Sequence, residues 1–265
     1  MCLVFSSVGL LLAMWGAPWS GSSAQHPLRV CADPNNMPFS NERGAGFENK
    51  IAALVAREMD RPLAYYWLPQ RRGFIRNSLN AGRCDVVVGV PARYGVLLPT
   101  RSYYRSRYVF VSRHDRHLRV DSFDDPSLEA LRIGIQVSGD DYNNPPAAHA
   151  LAARHIIQNV RGFTVYGDYS RSDPQRDIID AVVDGRVDVA VVWGPLAGYY
   201  ARREQTPIDV TPVATDRDGS SVFAFEIAMG VRRNDTALRD VLNTIITHRG
   251  EEIRRILLSY GVPLR

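Results

Sequence analysis

Two stretches that follow predicted strands carry side chains able to hold a ligand. The first offers amides, a soft thioether and an aromatic ring, at Asn35, Asn36, Met37 and Phe39. This chemistry suits an apolar ligand or a partner's side chain, and an ordinary packed loop is the alternative. The second stretch is Gln70, Arg71 and Arg72 at the start of a predicted helix, where positive charge opposes the helix dipole. An anionic partner group would explain both arginines, and solvated surface charge is the alternative.

Further candidates follow later strands of the chain. They are Pro91, Arg93, Ser138, Asp141 and the aromatic residues Tyr103, Tyr104, Tyr142 and Trp193. Tyrosine and tryptophan offer large contact areas with little loss of conformational entropy. They favour a binding surface, with core packing as the alternative, and Trp193 is the best single candidate for a cleft wall.

No residues are spaced as in a catalytic or metal site. The histidines form no ligand pattern apart from His114 and His117, which lie in a charged stretch and are expected to be solvated. The sequence has no serine nucleophile elbow. We therefore predict a binding protein without metal or cofactor, and keep an enzyme of the same fold as a weaker hypothesis.

The elements that must position these residues alternate along the chain. The predicted strands are residues 28–33, 62–67, 84–90, 131–137, 163–166, 187–193 and 223–231, and the predicted helices are residues 47–59, 74–79, 147–157, 178–183, 238–246 and 253–257. Apolar runs and helical spacing support these assignments. Strands that alternate with helices predict an α/β fold built on parallel sheets with right-handed crossovers.

One internal repeat is specific. Gly82–Val88 (Gly-Arg-Cys-Asp-Val-Val-Val) matches Gly185–Val191 (Gly-Arg-Val-Asp-Val-Ala-Val), 103 residues later. In each copy a helix is expected to end at the glycine, which can take the left-handed cap conformation. The repeat indicates two lobes of similar build, and convergent chemistry at a common junction is the alternative.

These patterns predict two α/β lobes with a cleft between them. We expect lobe 1 at residues 27–113 plus 219–265 and lobe 2 at residues 114–218, with two hinge crossings near residues 112–116 and 214–222. The terminal helices would return to cover lobe 1. In open α/β sheets, ligands bind beyond the carboxyl ends of the strands, so the cleft is the expected binding site.

The first residues and the cysteines indicate an exported protein. Residues 1–24 carry no charged side chain, and a short apolar run precedes Ser22, Ser23 and Ala24. This pattern predicts a signal peptide cleaved near Ala24, with a buried helix as the alternative, and no later segment is apolar enough to span a membrane. In an oxidising compartment Cys31 and Cys84 predict a disulfide, with two buried thiols as the alternative.

The formal net charge of +4 is spread along the 265 residues. Proteins that bind nucleic acid normally concentrate basic residues in one stripe, so we predict no nucleic-acid partner. The weak positive charge suits an acidic protein partner.

Six motifs carry a family resemblance. They are Val30–Ser40, Gly46–Ile51, Gln70–Arg76, Ala81–Val87, Tyr103–Ser106 and Val191–Ala197. They resemble the quinoprotein-dehydrogenase-associated substrate-binding proteins of the MoxJ and XoxJ type, over essentially the whole chain after the predicted signal peptide. The resemblance implies a type II periplasmic binding fold in the periplasm.

The resemblance also implies a partner. This is a methanol or alcohol dehydrogenase that depends on pyrroloquinoline quinone (PQQ), with its c-type cytochrome as a further candidate. The chain would assist maturation or activation of that enzyme by holding part of it in the cleft. The alternative is an ABC-importer receptor for a small solute.

That solute is not expected to be an amino acid. Members of this fold that bind amino acids usually carry a Thr-x-x-Arg segment after the third strand, whose arginine binds the ligand carboxylate. Here the loop Gly89–Gly95 is shorter and has no such threonine, although Arg93 could substitute. Trp193 stands where an aspartate would bind the ammonium group, and Ser138–Tyr142 replaces the usual Gly-Thr turn. A zwitterion without these partners would lose its hydration uncompensated.

Overall fold

The chain folds into strands and helices that alternate, in a computed structural model that describes residues 26–137, 145–164 and 169–264. The strands are β1 (Leu28–Ala32), β2 (Asn35–Asn36), β3 (Ser40–Asn41), β4 (Leu63–Trp67), β5 (Val86–Pro91), β6 (Leu98–Arg113), β7 (Ile133–Val137), β8 (Val160–Thr164), β9 (Val189–Trp193), β10 (Ile208–Pro212), β11 (Arg217–Asp218), β12 (Ser221–Val222) and β13 (Ala224–Val231). The helices are α1 (Phe47–Glu58), α2 (Phe74–Asn77), α3 (Pro146–Ala152), α4 (Asp177–Val183), α5 (Gly194–Ala201), α6 (Thr236–His248) and α7 (Gly250–Ser259).

The main sheet has two parallel parts joined by antiparallel strands. Within the described residues its strand order is β4-β1-β5-β13-β6-β9-β7-β8, and β10 also pairs with β6. Strand β1 pairs in parallel with β4 and β5, and β7 pairs in parallel with β8 and β9. The two predicted parallel units are therefore present, one in each lobe.

Strand β6 runs through both lobes. Its residues 98–107 pair with β13, and its residues 108–113 pair with β9 and β10. The chain returns after β10, where the Val213 N–H donates to the Tyr108 carbonyl at 3.1 Å and the Tyr108 N–H donates to the Phe223 carbonyl at 2.8 Å. Both crossings thus meet at Tyr108. The predicted lobe boundaries stay a prediction.

Each lobe buries its own apolar core. In lobe 1, helices α1, α6 and α7 contribute Phe47, Leu242 and Leu257 to a core over the first sheet part. In lobe 2 one core contains Phe110 and Ile133, and another contains Tyr200 and its neighbours from α4 and α5. The terminal helices pack on lobe 1, as predicted.

Two predicted helices are shorter than expected. Helix α2 ends at Asn77, where the Ser78 hydroxyl donates to the Phe74 carbonyl at 2.6 Å, and such local bonds compete with a helix. Helix α3 ends at Ala152, and His155 then takes a positive φ of 59°, which a right-handed helix excludes. The predicted strand at residues 163–166 is β8, and residues 165 and 166 lie outside the described part.

The predicted disulfide is present between Cys31 and Cys84, whose Cα atoms are 5.4 Å apart. Both residues are buried, and the bond joins β1 to the turn before β5. The predicted signal peptide lies outside the described residues. None of the helices that the structure describes has the length and apolarity to cross a membrane.

Candidate functional site

A cavity of about 230 Å³ lies between the two lobes. Its walls come from both sheet parts and from loops at the ends of their strands. The lining residues are Asn36, Phe39, Glu48, Gln70, Gly89, Val90, Pro91, Tyr104, Tyr108, Gln136, Pro145, Gln175, Trp193 and Ile227. The cavity therefore occupies the cleft that the fold predicts.

Six of the residues predicted from the sequence line this cavity. They are Asn36, Phe39, Gln70, Pro91, Tyr104 and Trp193. The remaining predicted residues that the structure describes lie elsewhere. Met37 is buried with 5% of its surface exposed, and the Tyr103 hydroxyl donates to the Val88 carbonyl at 2.9 Å.

Asn35 and Arg71 lie at a contact between the lobes instead of in the cavity. The Asn35 Nδ2 donates to the Arg171 carbonyl at 2.6 Å. The Arg71 guanidinium lies 5.6 Å from the centre of the Tyr169 ring, and Arg72 is exposed. The arginine pair is therefore at the rim, where Arg71 stacks on an aromatic ring of the opposite lobe.

Arg93 lines a neighbouring, larger cavity of about 640 Å³. This second cavity is bounded by the loop after β5 and by the β11–β12 hairpin, and it also contains Arg105 and Asp216. Arg93 is thus placed outside the interlobe cavity. The predicted residues Ser138, Asp141 and Tyr142 lie outside the described residues.

Asp33 holds the first loop and the opposite lobe together. Its carboxylate accepts from the Asn35 N–H at 2.8 Å, the Gln70 N–H at 2.7 Å and the Tyr169 hydroxyl at 2.9 Å. Only 2% of Asp33 is exposed. The end of β1 is therefore tied to the loop after β4 and to lobe 2 by one carboxylate.

Glu48, in the first turn of α1, lies in the lobe 1 wall of the cavity. A methyl group at Gly89 would lie 2.0 Å from its Oε1, so the carboxyl lies over Gly89 of β5, and a side chain there would displace it. Burial, and secondarily the negative charge of Asp33, raise the pKa of Glu48 to about 8. The carboxyl is therefore mostly protonated at neutral pH.

Lobe 2 contributes an aromatic and amide wall. Trp193 ends β9, and its ring centre lies 5.5 Å from that of Tyr108 and 5.8 Å from that of Phe225. The backbone N–H of Trp193 donates to Gln136 Oε1 at 3.0 Å. Burial raises the pKa of Tyr108 to about 12, and in the facing wall of lobe 1 it raises the pKa of Tyr104 well above its usual value. Both hydroxyls stay neutral at physiological pH.

Sequence reasoning missed Glu48, Tyr108, Gln136 and Gln175. Gln136 carried a usable signal, because it is a polar residue inside an otherwise apolar predicted strand. Glu48 carried none, since an acidic residue in the first turn of a helix is usually a surface residue that complements the dipole.

The described lining residues include no arginine, lysine or histidine. They offer aromatic rings, amides and one carboxyl, which suit binding by contact and hydrogen bonds. Among the residues that the structure describes, no group of three or more His, Cys, Asp or Glu side chains could hold a metal ion.

Comparison with known proteins gives consistent matches. The family described as bacterial extracellular solute-binding proteins, family 3, matches residues 28–260. Protein MoxJ of Methylorubrum extorquens is 32% identical over 245 residues, which cover 89% of this chain and 81% of that relative. The likeness therefore extends over most of the chain.

Two solved structures share the fold over most of their length. The periplasmic binding protein XoxJ from Methylobacterium extorquens AM1 has a TM-score of 0.73 at 34% identity, covering 90% of this chain and 99% of that one. MxaJ from Methlophaga aminisulfidivorans has a TM-score of 0.75 at 26% identity, covering 90% and 100%. The predicted type II periplasmic binding fold is confirmed.

Proposed function

Because the chain belongs to the bacterial extracellular solute-binding proteins, family 3, we propose that it is a periplasmic binding protein of methanol oxidation. In this proposal its interlobe cleft holds part of a PQQ-dependent methanol or alcohol dehydrogenase, and the binding assists maturation or activation of that enzyme. The likeness to MoxJ and XoxJ supports the association. The c-type cytochrome of the same system is a further candidate partner.

The observation that carries the proposal is the chemistry of the cavity. A free amino acid needs a cation for its carboxylate, and the described lining residues include none. Arg93, the one substitute that the sequence offered, lines the neighbouring cavity. Burying a carboxylate without a partner is costly, so the cleft is unsuited to the ligands that this fold commonly binds.

Aromatic side chains support a protein as the occupant. Trp193, Tyr104 and Tyr108 line the cavity, and aromatic residues dominate the energetics of protein interfaces. The loop after β5 begins at Pro91, which lines the cavity, and the same loop exposes Tyr94 and Val96. A segment of a folded partner could therefore contact the cavity and its rim together.

The proposal is tested by retention of the purified dehydrogenase on the immobilised protein. Trp193→Ala is expected to weaken binding roughly 30-fold, as for a central interface residue. Trp67→Ala is the matched control, because Trp67 stacks on Tyr65 at 4.4 Å and lies outside the cavity. The proposal is wrong if no dehydrogenase is retained and deletion of the gene leaves dehydrogenase activity unchanged.

The alternative is a receptor for a small solute other than an amino acid. The cavity volume favours it, since about 230 Å³ approaches the roughly 300 Å³ of the smallest usual ligand sites. A solute at 100 times its Kd would stabilise the protein by about 2.7 kcal/mol. A thermal-shift screen of alcohols, aldehydes and cofactors measures this, and a hit without dehydrogenase binding would favour the receptor.

We also propose export to the periplasm with cleavage near Ala24. The disulfide between Cys31 and Cys84 suits an oxidising compartment, and the family is one of extracellular proteins. Cell fractionation followed by N-terminal sequencing tests this. A cytoplasmic protein that begins at Met1 would contradict it.

A further inference from the structure

Glu48 carries the one carboxyl among the described residues that line the interlobe cavity, and these residues include no arginine, lysine or histidine. After burial, the group that acts on the pKa of Glu48 is Asp33, whose carboxylate has the same sign of charge. The two internal segments outside the described residues, 138–144 and 165–168, contain three aspartates and no basic residue in their sequence. Among the residues that the structure describes, no cation acts on the Glu48 carboxyl.

A hydrogen-bond acceptor in the wall of the same cavity is also without a partner among the described residues. Asn36 is 5% exposed, and its Oδ1 has no hydrogen-bond partner among the described residues. Its Nδ2 already donates to Gln70 Oε1 at 3.1 Å. A buried acceptor without a partner costs free energy. A ligand that donates a hydrogen bond to Asn36 Oδ1 would remove this cost.

Four aromatic residues complete the surroundings. Phe39, Tyr104, Tyr108 and Trp193 all line the same cavity. Aromatic rings attract cations through their quadrupole, most strongly where water is excluded. A carboxyl, an unused acceptor and aromatic rings together favour a ligand that donates hydrogen bonds and carries positive charge.

We propose that the interlobe cavity takes an organic cation without a carboxylate, an ammonium or guanidinium group, which pairs with Glu48 and donates to Asn36 Oδ1. A neutral ligand would leave the carboxyl as it is, and a zwitterion would bring an anion for which the described wall has no partner. The volume of about 230 Å³ suits one side-chain end or one small amine. The inference rests on the proposed function only where the cation is taken to be a lysine or arginine of the dehydrogenase.

Binding of a cation is coupled to loss of one proton. Among the described residues, the titratable groups that interact with Glu48 are Asp33, Tyr65, Tyr103 and Tyr104, and none of them is positively charged. The carboxyl, with its pKa near 8, is then mostly protonated at pH 7. A bound cation, helped by the N-terminal end of α1, favours the carboxylate, and the proton passes to the buffer.

Calorimetric titration of the purified protein tests this directly. The probes are butylammonium and methylguanidinium chloride, with pentanamide as the neutral control and L-arginine as the control that adds a carboxylate. The two cations are expected to bind, and titrations at pH 7 in buffers of different ionisation enthalpy should show release of nearly one proton. Equal binding of pentanamide, tighter binding of L-arginine, or no proton release would each overturn the inference.

The Glu48→Gln variant isolates the carboxyl. It keeps the size of the side chain next to Gly89, and it should bind methylguanidinium roughly 30-fold more weakly or worse, as for loss of one partner of a buried charge pair. In the wild type the affinity should rise about tenfold per pH unit up to pH 8 and then level off. The variant should show no such rise. If it does not fold, proton release in the wild type still decides the question.

The source of the cation is separated by a second series. Tripeptides with blocked ends and a central lysine or arginine are compared with the free cations and with the same peptide carrying glutamine. Tighter binding of the cationic peptides favours a partner side chain, and equal binding favours a free amine. Retention of the dehydrogenase without any cation preference would overturn this inference alone, and cation binding without dehydrogenase retention would overturn only the proposed function.

Discussion

The two corners where β5 and β9 begin are built by the same contacts, one in each lobe. In lobe 1, the Asp85 carboxylate accepts from the backbone N–H of Arg29 at 3.1 Å and from its Nε and Nη2 at 3.2 and 2.6 Å. In lobe 2, Asp188 accepts from the same three groups of Arg132 at 2.9, 2.9 and 2.8 Å. The repeat noticed in the sequence is therefore a repeat of structure, including arginines outside the matched motif.

The corners differ in what reinforces them. In lobe 1 the residue before the aspartate is Cys84, bonded to Cys31 of β1, whereas lobe 2 has Val187 buried in the core. Cys31 lies two residues before Asp33, which positions the first cleft loop. The difference indicates that the polar corner suffices to join the strands, and that the covalent bond serves the lobe whose loops form the Glu48 side of the cavity.

The largest expected effect comes from removing that bond. The double variant Cys31→Ala, Cys84→Ala opens a loop of 53 residues and should lower the free energy of unfolding by roughly 4 kcal/mol. Denaturant unfolding measures it, and the wild type in reductant should behave alike. A loss below about 1 kcal/mol would mean that lobe 1, like lobe 2, is held by its polar corner alone.

The aspartates are expected to contribute unequally. Asp188→Asn removes the charged acceptor of three Arg132 groups and should cost roughly 2 kcal/mol. Asp85→Asn should cost less, because the neighbouring disulfide keeps β1 and β5 together. Denaturant unfolding of both variants with and without reductant checks this. If both variants lose the same free energy of unfolding in the oxidised protein, the disulfide does not help Asp85 to join β1 and β5.

The same aspartates should affect how the stability of the fold decreases at acidic pH. Hydrogen bonds from Arg132 lower the pKa of Asp188 from 3.8 to about 2. Because this pKa is lower in the folded state, ionised Asp188 stabilises the fold above pH 3.8. That stabilisation is lost as the pH falls toward 2. Between pH 5 and pH 2 the thermal unfolding temperature should therefore fall less steeply for Asp188→Asn than for the wild type. For Asp85 the largest influence is burial, which raises the pKa and opposes the lowering by Arg29. The pH dependence of the unfolding temperature should therefore change less for Asp85→Asn.

The smallest expected effect should be the same in both lobes. Gly82 and Gly185 have φ values of 70° and 68°, with open space where a side chain would begin. Replacing either by alanine should cost roughly 1 kcal/mol through backbone strain alone. Gly95→Ala, in open space and outside the left-handed region, is the control without a cost. Clearly unequal losses at Gly82 and Gly185 would contradict the equivalence of the corners.

Much of the architecture was predictable from local patterns. Continuous apolar runs identified β5 and β9 because strands covered on both faces bury every side chain. Strand β6 was not predicted, since the polar residues of Arg101–Tyr108 interrupt its pattern. Its strand conformation follows from pairing with β13, β9 and β10, which are distant in sequence.

The candidate site was predictable only in part. The loops after β1 and β4 and the end of β9 were expected at the cleft, and Asn36, Phe39, Gln70 and Trp193 line it. Asn35 and Arg71 came from the same loops but lie at the lobe contact. Neighbours along a loop point in different directions, and the sequence alone does not state which of them reaches the cavity.

The sequence by itself determined the alternation of strands and helices and the doubled corner, because each depends on residue types and short spacings. It also indicated the pairing of Cys31 with Cys84, because no other cysteine follows the predicted signal peptide. Only the tertiary structure decided that Glu48 is a cavity residue with a raised pKa. That outcome depends on burial by β5, on the space above Gly89 and on the charge of Asp33. These groups meet through the packing of α1 on the sheet, and local sequence does not encode the resulting loss of water around the carboxyl.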